Sequence, residues 1–259
     1  MSVAETDGGV DRFSRIFDVL ELLVGHPEGM TLTEIVKRLD LPTSSAHNLL
    51  RRMVAADVVS MTEELRYSVG ARAVRLGIQV VDRLEVRAVA RRTLADLARE
   101  TGEDVYLAVR LGNRVSYVDR VAGTRPVSVN IRLGQSLFLH ATAVGKLFAA
   151  YHPQLRRKML AEPRPRLTPQ TLTEPAQLEA ELDQILASGL SRSQEEGLPG
   201  IVGFAVPVRD AAGALVAAIH ISALSAQLSP QHEADVIAAA QAAAATIEAD
   251  LGRTRPSRG

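Results

Sequence analysis

The segment Thr31–Val59, TLTEIVKRLDLPTSSAHNLLRRMVAADVV, constrains this chain more than any other stretch. Thr31-x-x-Glu34 is a capping box: the threonine hydroxyl can accept an orphan amide of a first helical turn while the glutamate reaches back. Leu32, Ile35, Val36 and Leu39 then recur at helical spacing as one buried stripe. Asp40-Leu41-Pro42 stops that helix, and Pro42 suits the first turn of the next. The next helix buries Ala46, Leu49, Leu50 and Met53 and turns Thr43, Ser44, Ser45, His47, Asn48, Arg51 and Arg52 outward. Upstream, Phe13, Ile16, Phe17, Leu20 and Leu23 mark an amphipathic helix over 10–25, ended by His26-Pro27-Glu28-Gly29. Downstream, Val58–Met61 and Leu65–Val69 flank the polar Thr62-Glu63-Glu64 and read as a β-hairpin. Three helices and a hairpin make a winged helix-turn-helix, assigned to residues 1–70.

A helix entering the major groove of double-stranded DNA needs small or polar side chains at its leading end and cations near the phosphates. Thr43, Ser44 and Ser45 supply hydroxyls, His47 and Asn48 can reach base edges, and Arg51 and Arg52 can grip phosphate or read guanine. On the wing, Arg66 is placed to enter the minor groove or touch the backbone. Each of these residues alone could be an ordinary solvated side chain; the agreement of capping box, turn, helix lengths and hairpin is what favours DNA. The argument has to be local, because the formal net charge is +0 and the pI about 7.0. Between Lys37 and Arg92 basic residues outnumber acidic ones. Aromatic residues make up 3% and tryptophan is absent, which argues against a stacking platform for single strands. The absence of cysteine excludes a disulfide framework, a thiolate metal site and a cysteine nucleophile, and fits a reducing cytoplasm. No uninterrupted apolar run reaches the roughly 18 residues of a membrane span, and the polar, acidic MSVAETDGGVDR is no signal peptide.

Residues 71–99 form an arginine-rich pattern expected as one long or broken helix, with 71–89 a linker and dimer contact. Its later half should pack on a second domain over 90–259. From Asp104 the period becomes two: Val105–Val109 and Val115–Val118 flank the turn Gly112-Asn113. Val127–Leu133 is expected as a third strand and Ala141–Ala150 as a short helix. Glu174-Pro175 should open another helix, strands are expected at Ile201–Val208 and Leu215–Ser222, and an alanine-rich helix from Ser229-Pro230 to about Leu251. The tail from Gly252 is expected to fray. Hairpins with helices around them indicate an α+β fold with a mainly antiparallel sheet.

Catalytic and cofactor motifs are poorly represented. Gly145-Lys146 lacks the upstream glycine and following Ser/Thr of a phosphate loop, and there is no G-x-S-x-G elbow. His140, His152, His220 and His232 have no metal-ligand spacing, so no cofactor is expected. His140 reads as a capping or packing residue. His220 lies in the apolar run Ala217–Ser222, where a buried histidine satisfied by a neighbour is the simpler reading. Asn130 and Arg132 could complement an acidic ligand, although alternation lets only one of them face it. An enzyme using the C-terminal domain and a purely architectural protein stand as the competing functions.

TLTEIVKRLDLPTSSAHNLLRRMVAADVV and RYSVGARAVRLG resemble the IclR family of bacterial transcription regulators. GQSLFLHATAVGKLFAAY and SRSQEEGLPGIVGFAVPVRDAAGALVAAIHISAL resemble its downstream segments, in the right order and spacing over nearly the whole chain. The resemblance implies a winged helix-turn-helix, a linker helix and a GAF-like effector domain, with no enzymatic activity. It implies homodimers, often paired as dimers of dimers, on palindromic operators in the bacterial cytoplasm and nucleoid. The default expectation is a repressor of a neighbouring catabolic operon, released or switched by a small organic effector, a carboxylate catabolite, with a transcriptional activator as the alternative.

Carried over by position, the effector site would comprise Val129, Ala143, Val144, Ser193, Ile201, Gly203, His220 and Ser222. The amides at Ala143 and Val144 start a helix, which favours an anion such as a carboxylate. The chain departs from the family pattern at Ser193, where an acidic residue is common, at Gly203, where cysteine is common, and at His220, where a serine-like residue is common. Gly203 is expected to enlarge the cavity, and the family position of His220 favours its contact with the effector. Asn48 stands where arginine is frequent and Asp40 where glycine is, which bears on the operator sequence.

Overall fold

A computed structural model describes residues 7–126 and 131–254, with side chains from 13 to 126 and from 131 to 253. The chain divides into two compact units, residues 1–83 and 84–259.

The first unit runs α1 (Asp7–Val24), β1 (Met30–Thr31), α2 (Leu32–Leu39), α3 (Thr43–Ala55), β2 (Val59–Met61), β3 (Arg66–Val69) and α4 (Ala71–Asp82). The capping box at α2 forms in both directions: the Glu34 amide donates to the Thr31 hydroxyl and the Thr31 amide donates to the Glu34 carboxylate at 2.7 Å. Asp40 closes α2 in the left-handed region at φ 49°, which a short polar side chain tolerates better than most. α3 starts after Pro42 and buries Ala46, Leu50 and Met53, with Leu49 half-buried. Leu50 and Met53 join Val19, Leu23, Met30, Ile35, Val59 and Tyr67 in one small core, with Leu49 packed against it. β2 and β3 form the expected antiparallel hairpin. β1 adds a third strand that periodicity did not show, pairing Met30 with Tyr67 and Thr31 with Arg66. Two residues are too few to carry an alternation.

The arginine-rich stretch is a broken helix. α4 ends at Asp82, Leu84 is extended, and α5 (Glu85–Thr101) begins the second unit. There follow β4 (Asp104–Leu111), β5 (Arg114–Val121), α6 (Ala143–Tyr151), α7 (Pro153–Ala161), α8 (Pro175–Ser188), β6 (Ser191–Gln194), β7 (Ile201–Arg209), β8 (Leu215–Leu224) and α9 (Pro230–Thr254). The five strands form an antiparallel sheet in the order β5-β4-β8-β7-β6. One sheet face buries Val105, Leu107, Phe204, Val206, Ile219 and Ile221 against α5 and α9. The opposite face buries Tyr106, Ala108, Tyr117, Ala205 and Ala218 against α6, α7 and α8. Burial on both faces explains why β7 and β8 read as nearly continuous apolar runs.

Of the expected third strand, residues 127–130 lie outside the described residues, and Ile131–Leu133 is not strand. The tail expected to fray is helical through Thr254, and 255–259 lie outside the described residues. α7 and β6 were not foreseen: α7 opens on Pro153 and buries only Leu155 and Met159, and β6 is the four-residue polar edge SRSQ. Among the described residues, no helix is long and apolar enough to cross a membrane.

Candidate functional site

The first unit presents α3 as a polar ridge. Thr43, Ser44, Ser45, His47, Asn48, Arg51 and Arg52 are all exposed, as the helical spacing requires once Ala46, Leu50 and Met53 are buried. A shallow groove of about 300 Å³ runs along it, lined by Arg15, Leu41, Ser45, Asn48, Leu49 and Arg52. Arg66, expected at DNA from its position on the wing, is held within the unit by its own contacts. Its guanidinium turns back and donates to the carbonyls of Glu28 at 3.2 Å and Gly29 at 2.6 Å, with Glu34 at 4.0 Å. It braces the turn before α2. The wing tip is left with exposed Glu63 and Glu64, which repel phosphate at close range.

In the second unit the sheet face beneath α6 gathers polar groups. Register aligns Arg120, Tyr106, His220, Ala205 and Ser191 in one row across the sheet. The adjacent row carries Asp104, Ser222, Gly203 and Ser193. A bulge in β5 makes this face possible. Leu107 pairs with Asp119 and Ala108 with Tyr117, so Val118 is the extra residue. The offset lets Tyr117 and Arg120, three apart, face the same side. Tyr117 then packs on Tyr106 at 4.8 Å and on His220 at 5.3 Å between ring centroids, while the Arg120 guanidinium lies 5.8 Å from the Tyr106 ring centroid. Arg120 donates to Asp104 at 3.2 Å.

The start of α6 lies over this face. The Thr142 hydroxyl caps it, accepting the Gly145 amide at 3.1 Å and donating to the Phe138 carbonyl at 2.8 Å. Gly145 is required by space, since a Cβ there would lie 2.6 Å from the Leu139 backbone. One turn on, Lys146 is fully buried and donates to Glu181 at 2.6 Å and Glu196 at 2.7 Å. Burial raises the Glu196 carboxyl above its ordinary value, and Lys146 offsets only part of that. A lysine in the otherwise apolar AVGKLFAAY was the sequence signal for a buried ion pair, because such a charge is not buried unpaired. Tyr106, Tyr117, Arg120 and Asp104 were missed, because alternation without the bulge puts Tyr117 and Arg120 on opposite faces.

The sequence-predicted effector residues largely meet. Ser193 and Ser222 flank Gly203 on neighbouring strands, and Ala143 and Val144 are buried at the start of α6. Ile201 is half-buried two residues before Gly203, and Val129 and Asn130 lie outside the described residues. Arg132 is exposed, the Ser193 hydroxyl donates to the Ala141 carbonyl at 3.1 Å, and His140 Nε2 bonds the Pro165 carbonyl at 3.0 Å, a packing role. Among the described residues, no three His, Cys, Asp or Glu side chains converge as metal ligands.

Gly203 does not enlarge the site. A Cβ there would stand 2.7 Å from His220 Cε1 and 3.6 Å from the Ala143 Cβ, so the imidazole fills the room the glycine vacates. His220 is 4% exposed, its Nδ1 has no hydrogen-bond partner, and the Ser222 hydroxyl two residues on has none either. Burial pushes the imidazole down to about 3, with the Phe204 backbone opposing the shift. Gly203→Ala should therefore cost about 1–3 kcal/mol by overpacking. Gly203→Ala with His220→Ser should cost clearly less than the sum of the two single changes, measured as a double-mutant cycle in urea. Additive costs would show that the ring leaves this position in solution.

Residues 14–60 match the IclR helix-turn-helix domain, and residues 78–249 match the family described as bacterial transcriptional regulator IclR C-terminal. The HTH-type transcriptional regulator BhcR of Paracoccus denitrificans is 33% identical over 87% of this chain and 82% of its own. The glycerol operon regulatory protein of Streptomyces coelicolor is 31% identical over 95% of this chain and 98% of its own. Among solved structures, an IclR homolog from Microbacterium hydrocarbonoxydans complexed with 4-hydroxybenzoate aligns at a TM-score of 0.82 and 26% identity, covering 94% of this chain and 100% of the other. The polar ridge on α3 and the polar sheet face under α6 thus occur in a chain that belongs to the IclR family of ligand-responsive, DNA-binding transcription regulators.

Proposed function

We propose that this chain is a cytoplasmic, nucleoid-associated repressor that holds a palindromic operator beside a catabolic operon and releases it when a small organic effector binds the second unit. The observation that carries the DNA half is the exposed row from Thr43 to Arg52 on α3, backed by the core of Ala46, Leu50 and Met53 that fixes its rotation. The effector half is supported by His220 Nδ1 and the hydroxyls of Ser191 and Ser222, buried on the sheet face under α6 with no hydrogen-bond partner among the described residues. The Microbacterium structure, an IclR homolog complexed with 4-hydroxybenzoate, supports a ligand site in this fold. Homodimerisation, with a dimer of dimers as its extension, is supported by apolar side chains left on the surface of the first unit. Phe13 and Phe17 on α1 are 69% and 64% exposed, and Val74, Leu76, Ile78 and Val80 on α4 are about half exposed, more apolar surface than a monomer carries without reason. The chain passes between the units through α4 and α5, so these helices are the proposed route of coupling.

Mobility shift on the chain's own promoter region tests this. Tight binding should need two half-sites about one helical turn apart or a multiple of it. Arg51→Ala and Arg52→Ala should weaken binding, each lowering the log–log salt slope by about 0.9 if it neutralises a phosphate. An unchanged slope in the double variant, or equal binding to a single half-site, would refute the docking mode.

A further inference from the structure

The geometry points to an uncharged, hydroxyl-bearing organic molecule as the effector, its hydroxyl bridging His220 Nδ1 and the Ser222 Oγ beneath the start of α6. This rests on the reading of the second unit as the effector-binding half.

The two residues lie two apart on one face of β8 and are more than nine-tenths buried; apart from the Phe204 backbone that reaches the His220 ring, neither His220 Nδ1 nor Ser222 Oγ has a hydrogen-bond partner among the described residues. Buried polar groups in a native fold are normally satisfied, so a pair left open side by side is a place prepared for a polar group from outside. A hydroxyl both donates and accepts, as a serine hydroxyl does, and it suits either tautomer of a neutral imidazole. A carboxylate only accepts, so it needs both groups to donate, and it brings a full charge.

Charge is what decides between them. Lys146 and Arg120 are the cations built into this layer. Lys146 lies against two carboxylates and Arg120 against the buried Asp104. Two cations therefore face three carboxylates among the described residues. His220 adds no charge, because burial keeps its ring neutral far below physiological pH. At the helix start the Thr142 hydroxyl takes the Gly145 amide, and the Ala143 and Val144 amides are donors that carry no full charge. Among the described residues, an anion entering this face would be desolvated without a free counter-charge, whereas an alcohol brings no net charge and its desolvation is offset by the hydrogen bonds it makes.

The test is ligand-observed NMR on the full-length protein with small scaffolds, each supplied as alcohol, carboxylate and amine: benzyl alcohol, benzoate and benzylamine; propane-1,2-diol, lactate and 1-aminopropan-2-ol. The panel is repeated on His220→Ala and on His220→Asn, which keeps a neutral polar group and guards against a folding defect. The expected result is that alcohols bind about tenfold more tightly than matched carboxylates or amines, and that His220→Ala abolishes the preference. Carboxylates or amines that bind more tightly and are lost in His220→Ala would overturn the ligand class while keeping the effector site. Alcohol binding that both variants leave unchanged, or no binding by any scaffold, would overturn the site itself.

Discussion

Replacing Lys146 with Met should destabilise the second unit by about 3–5 kcal/mol, because it leaves the buried Glu196 carboxylate beside the half-buried Glu181 without their ammonium. The loss should be read by urea denaturation of the full chain and compared across pH. Glu196 already has a raised carboxyl in the native protein. A group raised in the folded state stabilises fully below its unfolded value and loses that contribution as pH rises through the folded one. Removing Lys146 raises Glu196 further, so the variant should come closest to wild type near pH 4 and lag most at neutral pH. Adding Glu181→Gln and Glu196→Gln should recover much of the loss, since the uncompensated charge, not the missing bond, is the main cost. A loss under about 1 kcal/mol would mean that water reaches the triad.

The second large effect is a pH dependence owed to His220. Its imidazole titrates near 6.5 when free and is held down to about 3 by burial. Above pH 6.5 the ring is neutral in both states and adds no slope. As pH falls from 6.5 toward 3, the unfolded chain takes up a proton that the folded one refuses. Stability should then drop by about 1.4 kcal/mol per pH unit from this group. His140 and His152 are also lowered by burial and slope the same way, but they remain in a His220→Asn variant and cancel in the difference. The wild-type and His220→Asn stability curves should therefore converge as pH falls from 6.5 to 4, the wild type declining faster. Parallel curves would show that the imidazole is solvated.

Much of the first unit was legible because its signals are local. A capping box, a proline and a 3.6-residue stripe decide helices within a dozen residues, and they are enough to place Thr43, Ser44, Ser45, His47, Asn48, Arg51 and Arg52 on the surface. Arg66 was not legible, because its partners at Glu28 and Gly29 are brought near by the β1–β3 pairing. In the second unit, Gly203, His220, Ser222 and Ala143 were found through family position. The meaning of Gly203 came out reversed: an absent side chain reads as empty space until the ring from the next strand is seen in it. Tyr117 and Arg120 depend on one extra residue in β5, a register change that no single-strand pattern encodes.

The fit of His220 over Gly203 also sets a direction on how this site can change its ligand. Shrinking the histidine first opens a void, which costs stability in proportion to its volume yet leaves every backbone atom in place. Adding a side chain at position 203 first drives an atom to within 2.7 Å of the ring, so the sheet must shift or the ring must leave. Two substitutions that end in the same pair are thus unequal as histories. Any lineage that swaps this Gly–His arrangement for a small residue facing a larger one should pass through the void rather than the clash, with an intermediate that is softened but folded.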